Sequence, residues 1–325
     1  MSKIGIDIIY VCYFNHKELE NSLKSLRDFF YKSEFILNVV IWDNSNNYSL
    51  YNQFLIIYKE FNSEYLNIVY KLSYDNFGFG GGCNKAFEYT FNDLIMILNC
   101  DTSFALSSIA DFKKMIKFCT SKSPIVGPKI LTKNGLIHSS CFSFDPISVF
   151  LKPLRHIRYI GNYTKFIPEY KTFKKRIDRI TYEGLDKTKP SYVDWVSGCC
   201  MLVQRNFFEE CGGFDLRFFL YFEDVDFCRK AKDLNKNVIF NPTFEIIHYA
   251  KHSSRSMKGV ISTILMNKMA RYHLISWVKY MFKWRNDFIL KVKYFISRFF
   301  LKNKNKEDSY ILDFSKYEEI NSEKD

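Results

Sequence analysis

Three carboxylates within four positions form the strongest chemical signal in the sequence. Glu223, Asp224 and Asp226 are flanked by an apolar and aromatic run over 218–222 and by Phe227. Like charges this close are costly in water-poor surroundings unless a cation, a proton or a substrate group offsets them. A helix N-terminus also favours acidic residues, which accounts for one or two of the three. A desolvated carboxylate is a competent base near neutral pH, so we predict that all three are catalytic candidates.

A glycine-rich segment over 76–84 could bind a phosphate or a sugar. It holds four of the thirteen glycines of the chain, and a backbone without Cβ atoms can approach such a ligand closely. Cys83 occupies the third glycine position of a dinucleotide fingerprint, and the Gly-Lys-Ser/Thr of a P-loop is absent from the segment. A tight turn into the next helix is the alternative, and the segment alone leaves both interpretations open.

Two further carboxylates follow predicted buried strands. Asp101 comes after the apolar run 94–98, and Asp43 comes after 35–42. A carboxylate at a strand end can hold Mg²⁺ or Mn²⁺ together with substrate phosphates, or it can contact a ribose or a base. The alternatives are a helix N-cap at Asp101 and a simple turn at Asp43. His248 ends a later extended run, but spacing alone does not decide whether it is a second metal ligand.

The elements that must position these residues alternate along the first hundred positions. Apolar runs predict strands over 6–13, 35–42, 66–72 and 94–98. Helical spacing predicts helices over 18–30, 51–61 and 84–91. Such alternation is typical of a parallel, doubly wound α/β sheet. Ligands bind beyond the carboxyl ends of strands in such sheets, so we expect Asp43, the glycine-rich segment and Asp101 at one edge.

The second half of the chain is less regular. We predict an excursion over 146–190, strands over 192–203 and 238–247, and short helices over 206–211 and 225–234. Apolar residues at 277, 281, 284, 288, 292, 295 and 299 form one stripe of an amphipathic helix with Lys and Arg on its other faces. We expect a catalytic domain over 1–255, a basic helical extension over 256–302 and a disordered tail over 303–325.

Composition and charge exclude several classes of protein. A hydrophobic content of 47% with 25% charged residues predicts a folded chain. Nine cysteines without a C-x-x-C pair predict reduced thiols, no zinc site and a cytosolic location. The charge at Asp7 comes too early for a signal peptide, and no run is long enough to span a bilayer.

The net charge of +12 is concentrated in two segments. Residues 152–189 carry eleven basic against four acidic residues, and residues 268–302 carry nine against one. The predicted catalytic body is therefore close to neutral. This distribution favours local docking surfaces over a generally basic protein.

Together these residues resemble the inverting family 2 glycosyltransferases with the GT-A fold, in particular the rhamnosyltransferase- and galactofuranosyltransferase-like branch of bacterial surface polysaccharide synthesis. The resemblance covers about residues 6–254. The matching motifs are Asn15-His16 with the helix over 19–26, Asp43-Asn44-Ser45, Asn76 with Gly78, Gly81, Gly82 and Asn84, Asn99-Cys100-Asp101, Trp195 to Gly198, Glu223-Asp224 with Asp226, Phe227 and Arg229, and His248. Cys100 replaces the usual proline, and Asn99 leaves a single carboxylate in the metal motif.

The resemblance implies a Rossmann-like mixed, mainly parallel sheet flanked by helices, and it implies a role for each matching residue. Asp224 would be the base that deprotonates an acceptor hydroxyl, with Glu223 and Asp226 positioning it or contacting the acceptor. Asp101 and His248 would hold Mg²⁺ or Mn²⁺. Trp195 and Gly198 would contact the acceptor. The donor-binding residues would be Asn15, Asp43, Asn76, Gly78, Gly82, Asn84, Asn99 and Asp101.

The implied reaction moves a sugar from dTDP-rhamnose or a UDP-hexose to a glycan or lipid-linked glycan in O-antigen or capsule synthesis. Residues 268–302 would bind the inner face of the cytoplasmic membrane, or would pack on the catalytic domain or on a second subunit of a homo-oligomer. One rival is a nucleotide-sugar-binding protein with weakened catalysis, which the single carboxylate allows. The other is a nucleic-acid-binding protein, which the net charge suggests but no motif supports, so we expect no nucleic-acid partner.

Overall fold

A computed structural model of the protein describes residues 3–104, 106–138, 140–142, 144, 188–249 and 267–286. Most of the predicted excursion over 146–190, the end of the predicted apolar stripe at 288–299 and the predicted tail over 303–325 lie outside the described residues. The chain divides into a compact unit over Met1–Lys283 and a second unit over Trp284–Asp325. The helices and strands named below lie in the first unit.

Twelve strands and seven helices make up this unit in the described residues. The strands are β1 (Ile4–Cys12), β2 (Phe35–Asp43), β3 (Leu66–Leu72), β4 (Leu94–Leu98), β5 (Thr102–Ser103), β6 (Ile125–Thr132), β7 (Ile137–His138), β8 (Cys141–Phe142), β9 (Ser191–Val193), β10 (Trp195–Val196), β11 (Cys200–Gln204) and β12 (Val238–His248). The helices are α1 (His16–Phe30), α2 (Tyr48–Lys59), α3 (Gly78–Phe87), α4 (Ile109–Phe118), α5 (Arg205–Glu210), α6 (Glu223–Asp233) and α7 (Lys268–Lys283).

The main sheet is mixed and largely parallel. Its order is β3-β2-β1-β4-β11-β6-β12-β5, with β7 beside β6 and β9 beside β12. The pairs β1–β2, β1–β4, β2–β3 and β6–β12 are parallel, and β11 runs antiparallel between β4 and β6. The prediction of a mixed, mainly parallel sheet flanked by helices is confirmed. The simple alternation of the first hundred residues did not reveal the antiparallel strand, because β11 comes from a distant part of the chain.

The central strands are buried on both faces. Ile6, Ile8 and Ile9 of β1 and Ile95 and Met96 of β4 have no exposed surface. Continuous apolar runs are expected of strands that are covered by helices on both sides of a parallel sheet. The carboxyl ends of β1, β2 and β4 therefore meet at one edge, where the polar residues follow them.

The predicted strand over 192–203 was wrong as a single element. It is divided into β9, β10 and β11, which pair with β12, with β8 and with β4 and β6, respectively. Gly198, between β10 and β11, lies against the Asp224 side chain. The chain thus leaves the main sheet and returns to it within ten residues, a change of partner that apolar periodicity does not encode.

The predicted helix over 84–91 was also wrong at its start. Helix α3 begins at Gly78, so the glycine-rich segment forms its first turns and is not a loop. Glycine disfavours helices, but a Cβ at Gly82 would lie 2.7 Å from Cγ1 of Val11. Close packing of α3 on the sheet therefore outweighs the low helix propensity of its residues.

Helix α7 begins at Lys268, nine residues before the predicted stripe. Ser276 and Tyr280 are buried, whereas Ile275, Val278 and Phe282 are exposed. One face of the helix therefore packs on its own compact unit and another faces solvent. Among the helices of the described residues, none is both long and apolar enough to cross a membrane.

Candidate active site

Asp224 is held at the start of α6 by two backbone amides. The N–H of Gly198 donates to its Oδ2 at 2.9 Å, and the N–H of Val225 donates to its Oδ1 at 2.8 Å. A Cβ at position 198 would lie 3.2 Å from the Cβ of Asp224, which is a tight contact. Gly198 and Asp224, which were predicted as an acceptor-binding and a catalytic residue, are thus brought together. The carboxylate is half-buried, so it combines a defined position with access to a substrate.

The two residues before α6 have strained backbones. Tyr221 and Phe222 both have φ of +69°, in the left-handed region that bulky residues rarely adopt. Such conformations persist only where the surroundings enforce them, and they concentrate at functional sites. The strain therefore lies directly before the carboxylate pair of Glu223 and Asp224.

Glu223 differs from Asp224 in its environment. It is buried, and its Oε2 has no hydrogen-bond partner among the described residues. Burial, with a smaller contribution from the charge of Asp224, raises the pKa of Glu223 well above its usual value. Glu223 therefore favours the neutral acid more strongly than an ordinary glutamate does, whereas a base must be ionised.

Asp226 is directed to another partner. Its Oδ1 and Oδ2 lie 2.7 Å and 2.8 Å from Nζ of Lys283 in α7, and the same ammonium lies 2.8 Å from Oδ2 of Asp215. Residues two apart on a helix do not share a face. The resemblance implied that Asp226 positions Asp224 or contacts the acceptor. In the structure the Asp226 carboxylate forms an ion pair with Lys283 that links α6 to α7.

Helix α7 also binds the segment before α6, residues 215–222. The hydroxyl of Ser276 donates to the carbonyl of Leu220 at 2.8 Å, and Nζ of Lys279 donates to the carbonyl of Arg217 at 2.8 Å. The Phe222 ring contacts the Tyr280 ring with centroids 5.4 Å apart. These contacts enclose the strained residues. The sequence left packing of this region on the catalytic domain open, but it did not identify these contacts, because the predicted stripe began at 277.

Asp101 and His248 lie together, as the resemblance implied. Oδ1 of Asp101 is 3.1 Å from Nε2 of His248. The pairing of β5 with β12 places Thr102 opposite His248, and the N–H of Tyr249 donates to the carbonyl of Asp101 at 2.8 Å. Nδ1 of His248 is buried and has no hydrogen-bond partner among the described residues. A carboxylate oxygen and an imidazole nitrogen suit a divalent ion such as Mn²⁺, so these residues could hold one.

Asp43 lies at the carboxyl end of β2 in a buried hydrogen-bond network. Its Oδ2 is 2.8 Å from Nε2 of His16 and accepts from the hydroxyl of Tyr70 at 2.6 Å, while its Oδ1 accepts from the N–H of Ser45 at 2.9 Å. Burial opposes a charge on His16, but the hydrogen bonds with Asp43 and Cys12 outweigh it and raise the pKa of His16 to about 9. The site prediction missed His16 and Tyr70, although His16 directly follows the predicted donor residue Asn15.

One group of three potential metal ligands occurs in the described ranges, and it includes this network. Atoms of Cys12, His16 and Asp43 all lie within 4.8 Å of one another. A hydrogen bond with Cys100 lowers the pKa of Cys12 to about 7 despite burial. Nε2 of His16 and both oxygens of Asp43 already have hydrogen-bond partners. The cluster therefore supports Asp43 at the sheet edge without an ion.

The remaining predicted donor-binding residues fall into two groups. Asn76 is exposed, and its Oδ1 accepts from the N–H of Gly78 at 2.9 Å. Gly78 has a φ of +73°, and its carbonyl accepts from Nδ2 of Asn44 at 2.9 Å. Both lie where α3 begins at the sheet edge. Gly82 instead packs on β1, and the Asn84 side chain exchanges two 2.8 Å hydrogen bonds with the backbone of Phe214.

The loops after β1 and β4 place the other predicted residues. Oδ1 of Asn15 accepts from the N–H of Tyr13 at 2.9 Å. The backbone N–H of Asn99 donates to the carbonyl of Cys199 at 2.9 Å. Trp195 is buried and stacks on Phe142 with ring centroids 4.3 Å apart. The Trp195 ring therefore packs on β8, which pairs with β10.

The fold and the acidic edge of the sheet define an α/β domain of the GT-A type. Residues 7–123 match the model of the family described as Glycosyl transferase family 2. The rhamnosyltransferase WbbL of Escherichia coli K12 is 34% identical over 106 residues, which are 30% of this chain and 37% of that protein. Over residues 7–123 the chain is thus similar to glycosyltransferase family 2.

Other relatives are also named as sugar transferases. The N-acetylglucosaminyl-diphospho-decaprenol L-rhamnosyltransferase of Mycobacterium tuberculosis H37Rv is 40% identical over 62 residues, 19% of this chain and 20% of that protein. The hexosyltransferase Agl10 of Haloferax volcanii, named for low-salt glycan biosynthesis, is 24% identical over 178 residues, 53% of this chain and 49% of that protein. The chain thus matches less than half of each of these relatives.

A solved structure supports the fold alone. The crystal structure of GalNAc-T7 with UDP, GalNAc and Mn²⁺ superposes with a TM-score of 0.50 at 12% identity, covering 76% of this chain and 44% of that one. The likeness extends beyond residue 123, where the family model ends, because so much of the chain superposes.

Proposed function

We propose that the protein is an inverting glycosyltransferase that moves a sugar from a nucleotide-diphosphate donor to a hydroxyl of a glycan acceptor. The observation that carries this proposal is the position of Gly198-Cys199 between the two acidic groups. Gly198 donates to Asp224, and the carbonyl of Cys199 accepts from Asn99, two residues before Asp101. Besides its burial, both carboxylates contribute to raising the pKa of the Cys199 thiol. A base and a diphosphate site would therefore flank one short segment.

The reaction that fits this arrangement is a single displacement. Asp224 accepts the proton of the acceptor hydroxyl, the hydroxyl oxygen forms a bond with the anomeric carbon, and the bond from that carbon to the diphosphate oxygen breaks. The nucleoside diphosphate leaves, and the anomeric configuration inverts. Holding the hydroxyl against the donor makes the step effectively unimolecular, and a positioned base removes the proton as the bond forms.

We assign Mg²⁺ or Mn²⁺ to Asp101 and His248. A divalent ion bound there supplies charge that offsets the leaving diphosphate. The distance of 3.1 Å between Oδ1 and Nε2 and the unpartnered Nδ1 of His248 support this assignment. The Mn²⁺ named for GalNAc-T7 is consistent with it. Asn99 contributes its backbone to the site and no carboxylate.

We assign the nucleotide to the edge formed by Asn15, Asp43, Asn76 and Gly78. Asp43 is fully buried and is held by His16, Tyr70 and the amide of Ser45, so we assign it a role in fixing this edge beneath the nucleotide. We infer dTDP-rhamnose or a UDP-hexose as the donor, because relatives are named rhamnosyl- or hexosyltransferases. The mycobacterial name, which includes diphospho-decaprenol, supports a lipid-linked acceptor.

We further propose that α7 lies on an anionic membrane surface at the inner face of the cytoplasmic membrane. Ile275, Val278 and Phe282 are exposed on the helix, and Lys268 and Arg271 are exposed at its start. An apolar stripe beside basic residues is typical of helices that lie in a lipid interface. The opposite face binds the segment before α6. Packing on protein and membrane binding would thus involve different faces of one helix.

A donor panel tests the proposed reaction. The chain is incubated with dTDP-rhamnose and with UDP-hexoses, together with a polyprenyl-diphosphate-linked sugar, and nucleoside diphosphate release is measured. We expect acceptor-dependent release from one donor, with the sugar found on the acceptor by mass spectrometry. Donor binding by calorimetry without acceptor-dependent release from any donor would instead support a sugar-nucleotide-binding protein.

A further inference from the structure

We propose that Thr102 is a positioning residue for Asp101, and that a chain of buried hydroxyl groups from Tyr10 and Ser22 holds Thr102 in place. The inference rests on the divalent ion assigned to Asp101 in the proposed function, and it adds residues to which the resemblance gave no role. Thr102 follows Asp101 directly and is 2% exposed. Its hydroxyl is bonded within the protein, so it acts on the ion only through the position of Asp101.

A side-chain hydrogen bond closes the turn that carries Asp101. The hydroxyl of Thr102 donates to the carbonyl of Asn99 at 2.8 Å, and Asp101 lies between these two residues in the chain. The backbone of Thr102 is paired with that of His248 through β5 and β12. One residue therefore ties the turn of the first proposed metal ligand to the strand of the second.

Two more hydroxyl groups extend this hydrogen bond into the core. Oγ of Ser22 in α1 lies 3.2 Å from Oγ1 of Thr102, and the hydroxyl oxygen of Tyr10 in β1 lies 2.8 Å from Oγ of Ser22. Neither Tyr10 nor Ser22 has any exposed surface. Hydroxyl groups from a strand of the central sheet, from the first helix and from the turn are thus joined in one buried chain.

The direction of this chain follows from its protons, because a hydroxyl group can donate only one. Thr102 donates its proton to the carbonyl of Asn99, so it accepts from Ser22, and Ser22 in turn accepts from Tyr10. Burial raises the pKa of Tyr10, so the phenol keeps the proton that begins the chain. Each hydroxyl group therefore donates once, and the chain has a single direction that ends at the turn.

Ser22 distinguishes this chain from ordinary core packing. It lies on the buried face of α1 together with Leu19, Leu23 and Leu26. A buried hydroxyl group is costly unless it is hydrogen-bonded, and serine is a weaker helix former than alanine. A core that needed packing alone could hold alanine at 22 and valine at 102. The two hydroxyl groups are accounted for by the hydrogen bonds that lead to Asn99.

The composition of the motif 99–101 gives this support a chemical reason. Because position 99 is asparagine, Asp101 is the only carboxylate that the motif provides. Coordination by a single carboxylate depends on the position of that side chain, and residues behind a metal ligand commonly fix that position through hydrogen bonds. We therefore expect the Thr102 hydroxyl to affect metal affinity as well as stability.

The test removes the hydroxyl group and keeps the shape of the side chain, in Thr102→Val. Binding of Mn²⁺, alone and with UDP, is measured on the full-length protein from the electron paramagnetic resonance signal of free Mn²⁺. Loss of a hydrogen bond behind a metal ligand typically costs about 10–100-fold in affinity, so we expect Mn²⁺ binding to weaken about tenfold. Thr102→Ser restores the hydroxyl group and should recover the wild-type affinity. Ser22→Ala keeps the bond to Asn99 without its support, so it should show a smaller loss.

Thr90→Val is the matched control. The hydroxyl of Thr90 donates to the carbonyl of Phe87 at 2.7 Å, also three residues earlier in the chain. Thr90 precedes β4, whereas Asp101 follows that strand. This variant should lower the Tm and leave the affinity for Mn²⁺ unchanged. Circular dichroism verifies folding and gives the Tm of every variant; if Thr102→Val does not fold, Ser22→Ala carries the test.

Asp101→Asn separates this inference from the proposed function. If Asp101→Asn binds Mn²⁺ like the wild type, the metal assignment fails, and the positioning role of Thr102 fails with it. If Asp101→Asn loses Mn²⁺ but folded Thr102→Val or Ser22→Ala keeps the wild-type affinity, only the positioning role is overturned. Equal losses in Thr102→Val and Thr102→Ser also overturn it, because they show that the hydroxyl group is not the cause.

Discussion

At the scale of single residues, contacts with residues distant in sequence give the three carboxylates of positions 223–226 different properties. Asp224 accepts from two backbone amides, Glu223 is buried with an unpartnered Oε2, and Asp226 is paired with Lys283. The residues alone predicted the cluster and treated its members alike, whereas the resemblance singled out Asp224 as the base. The partners that distinguish them, Gly198 and Lys283, lie 26 and 57 positions away, and local pattern carries no information about such contacts.

Glu223→Gln should stabilise the protein increasingly as pH rises above about 4.5. The pKa of Glu223 is raised in the folded state, so above the ordinary glutamate pKa the unfolded chain ionises while the folded carboxyl stays neutral. Wild-type stability is therefore lost as pH rises through this window. Glutamine cannot ionise, so the difference in Tm between variant and wild type should grow from pH 4 to pH 8.

Thermal unfolding followed by circular dichroism measures this difference. Asp93→Asn, at a residue just before β4, serves as a control for the loss of one carboxyl group. A pH-independent difference in Tm would show that Glu223 is ionised in the folded protein. Since glutamine resembles the neutral acid, Glu223→Gln should also keep most of the turnover.

At the scale of elements, α3 shows where propensity and packing disagree. A glycine-rich start predicts a loop, yet the helix begins at Gly78. Its first turns contain glycines because Cβ atoms there would collide with neighbouring elements. A Cβ at Gly78 would lie 1.9 Å from the carbonyl oxygen of Phe219, and one at Gly82 would lie 2.7 Å from Val11. The sequence correctly predicted that another group lies close to the backbone of this segment. It could not identify the approaching group as protein, because that group belongs to other elements.

Gly82→Ala should destabilise the protein, although alanine is the better helix former by about 1 kcal/mol. Overpacking against Val11 costs about 1–3 kcal/mol, so the net change should be a loss. Urea unfolding measures the free energy of unfolding. Lys85→Ala, in the same helix, is the control and should be nearly neutral. A stabilised Gly82→Ala protein would contradict the packing explanation.

Lys283→Met should lower turnover more than it lowers donor affinity. Lys283 holds Asp226 and Asp215 on either side of the strained residues 221–222, and removing one partner of a buried ion pair costs about 3 kcal/mol. The strained segment leads directly into Asp224, and it meets the donor edge through the carbonyl of Phe219, which accepts from the N–H of Phe79 at 3.1 Å. We therefore expect a large loss of kcat with a smaller rise in Kd for the nucleoside diphosphate.

Two further variants separate this positioning role from general destabilisation. Lys283→Arg keeps the charge and should recover part of the turnover, and Lys268→Met removes an exposed charge from the same helix and should have no effect. Assays are made well below the Tm of each variant. Equal loss of kcat in Lys283→Arg and Lys283→Met, with both folded, would contradict a role through charge.

At the scale of the whole molecule, the sheet brings distant parts of the sequence to one edge. The carboxyl ends of β2 and β4 carry Asp43 and Asp101, and the end of β12 adds His248. The parallel sheet and the site edge were predictable, since buried parallel strands have continuous apolar runs and ligands lie at their carboxyl ends. The antiparallel β11 and the split of 192–203 depend on pairings between distant segments, which periodicity does not contain.

Membrane binding should require the outer face of α7. Phe282 is 66% exposed, and Phe282→Asp should abolish co-sedimentation with vesicles rich in phosphatidylglycerol, because it places a negative charge in the apolar stripe. Ile56→Asp, at an equally exposed position of α2, is the matched control and should bind like the wild type. Failure of the wild type to bind such vesicles at low salt would contradict the membrane proposal.

The central claim, that Asp224 is the base of a sugar transfer, is tested most directly by Asp224→Asn. Asparagine keeps the shape and can still accept from the amide of Gly198, but it cannot take a proton. Since a positioned base contributes about 10²–10⁴-fold, turnover with the donor selected by the panel should fall by that factor. Donor affinity by calorimetry should stay unchanged. Turnover within about threefold of wild type, in a variant of equal Tm, would contradict the assignment of Asp224 as the base.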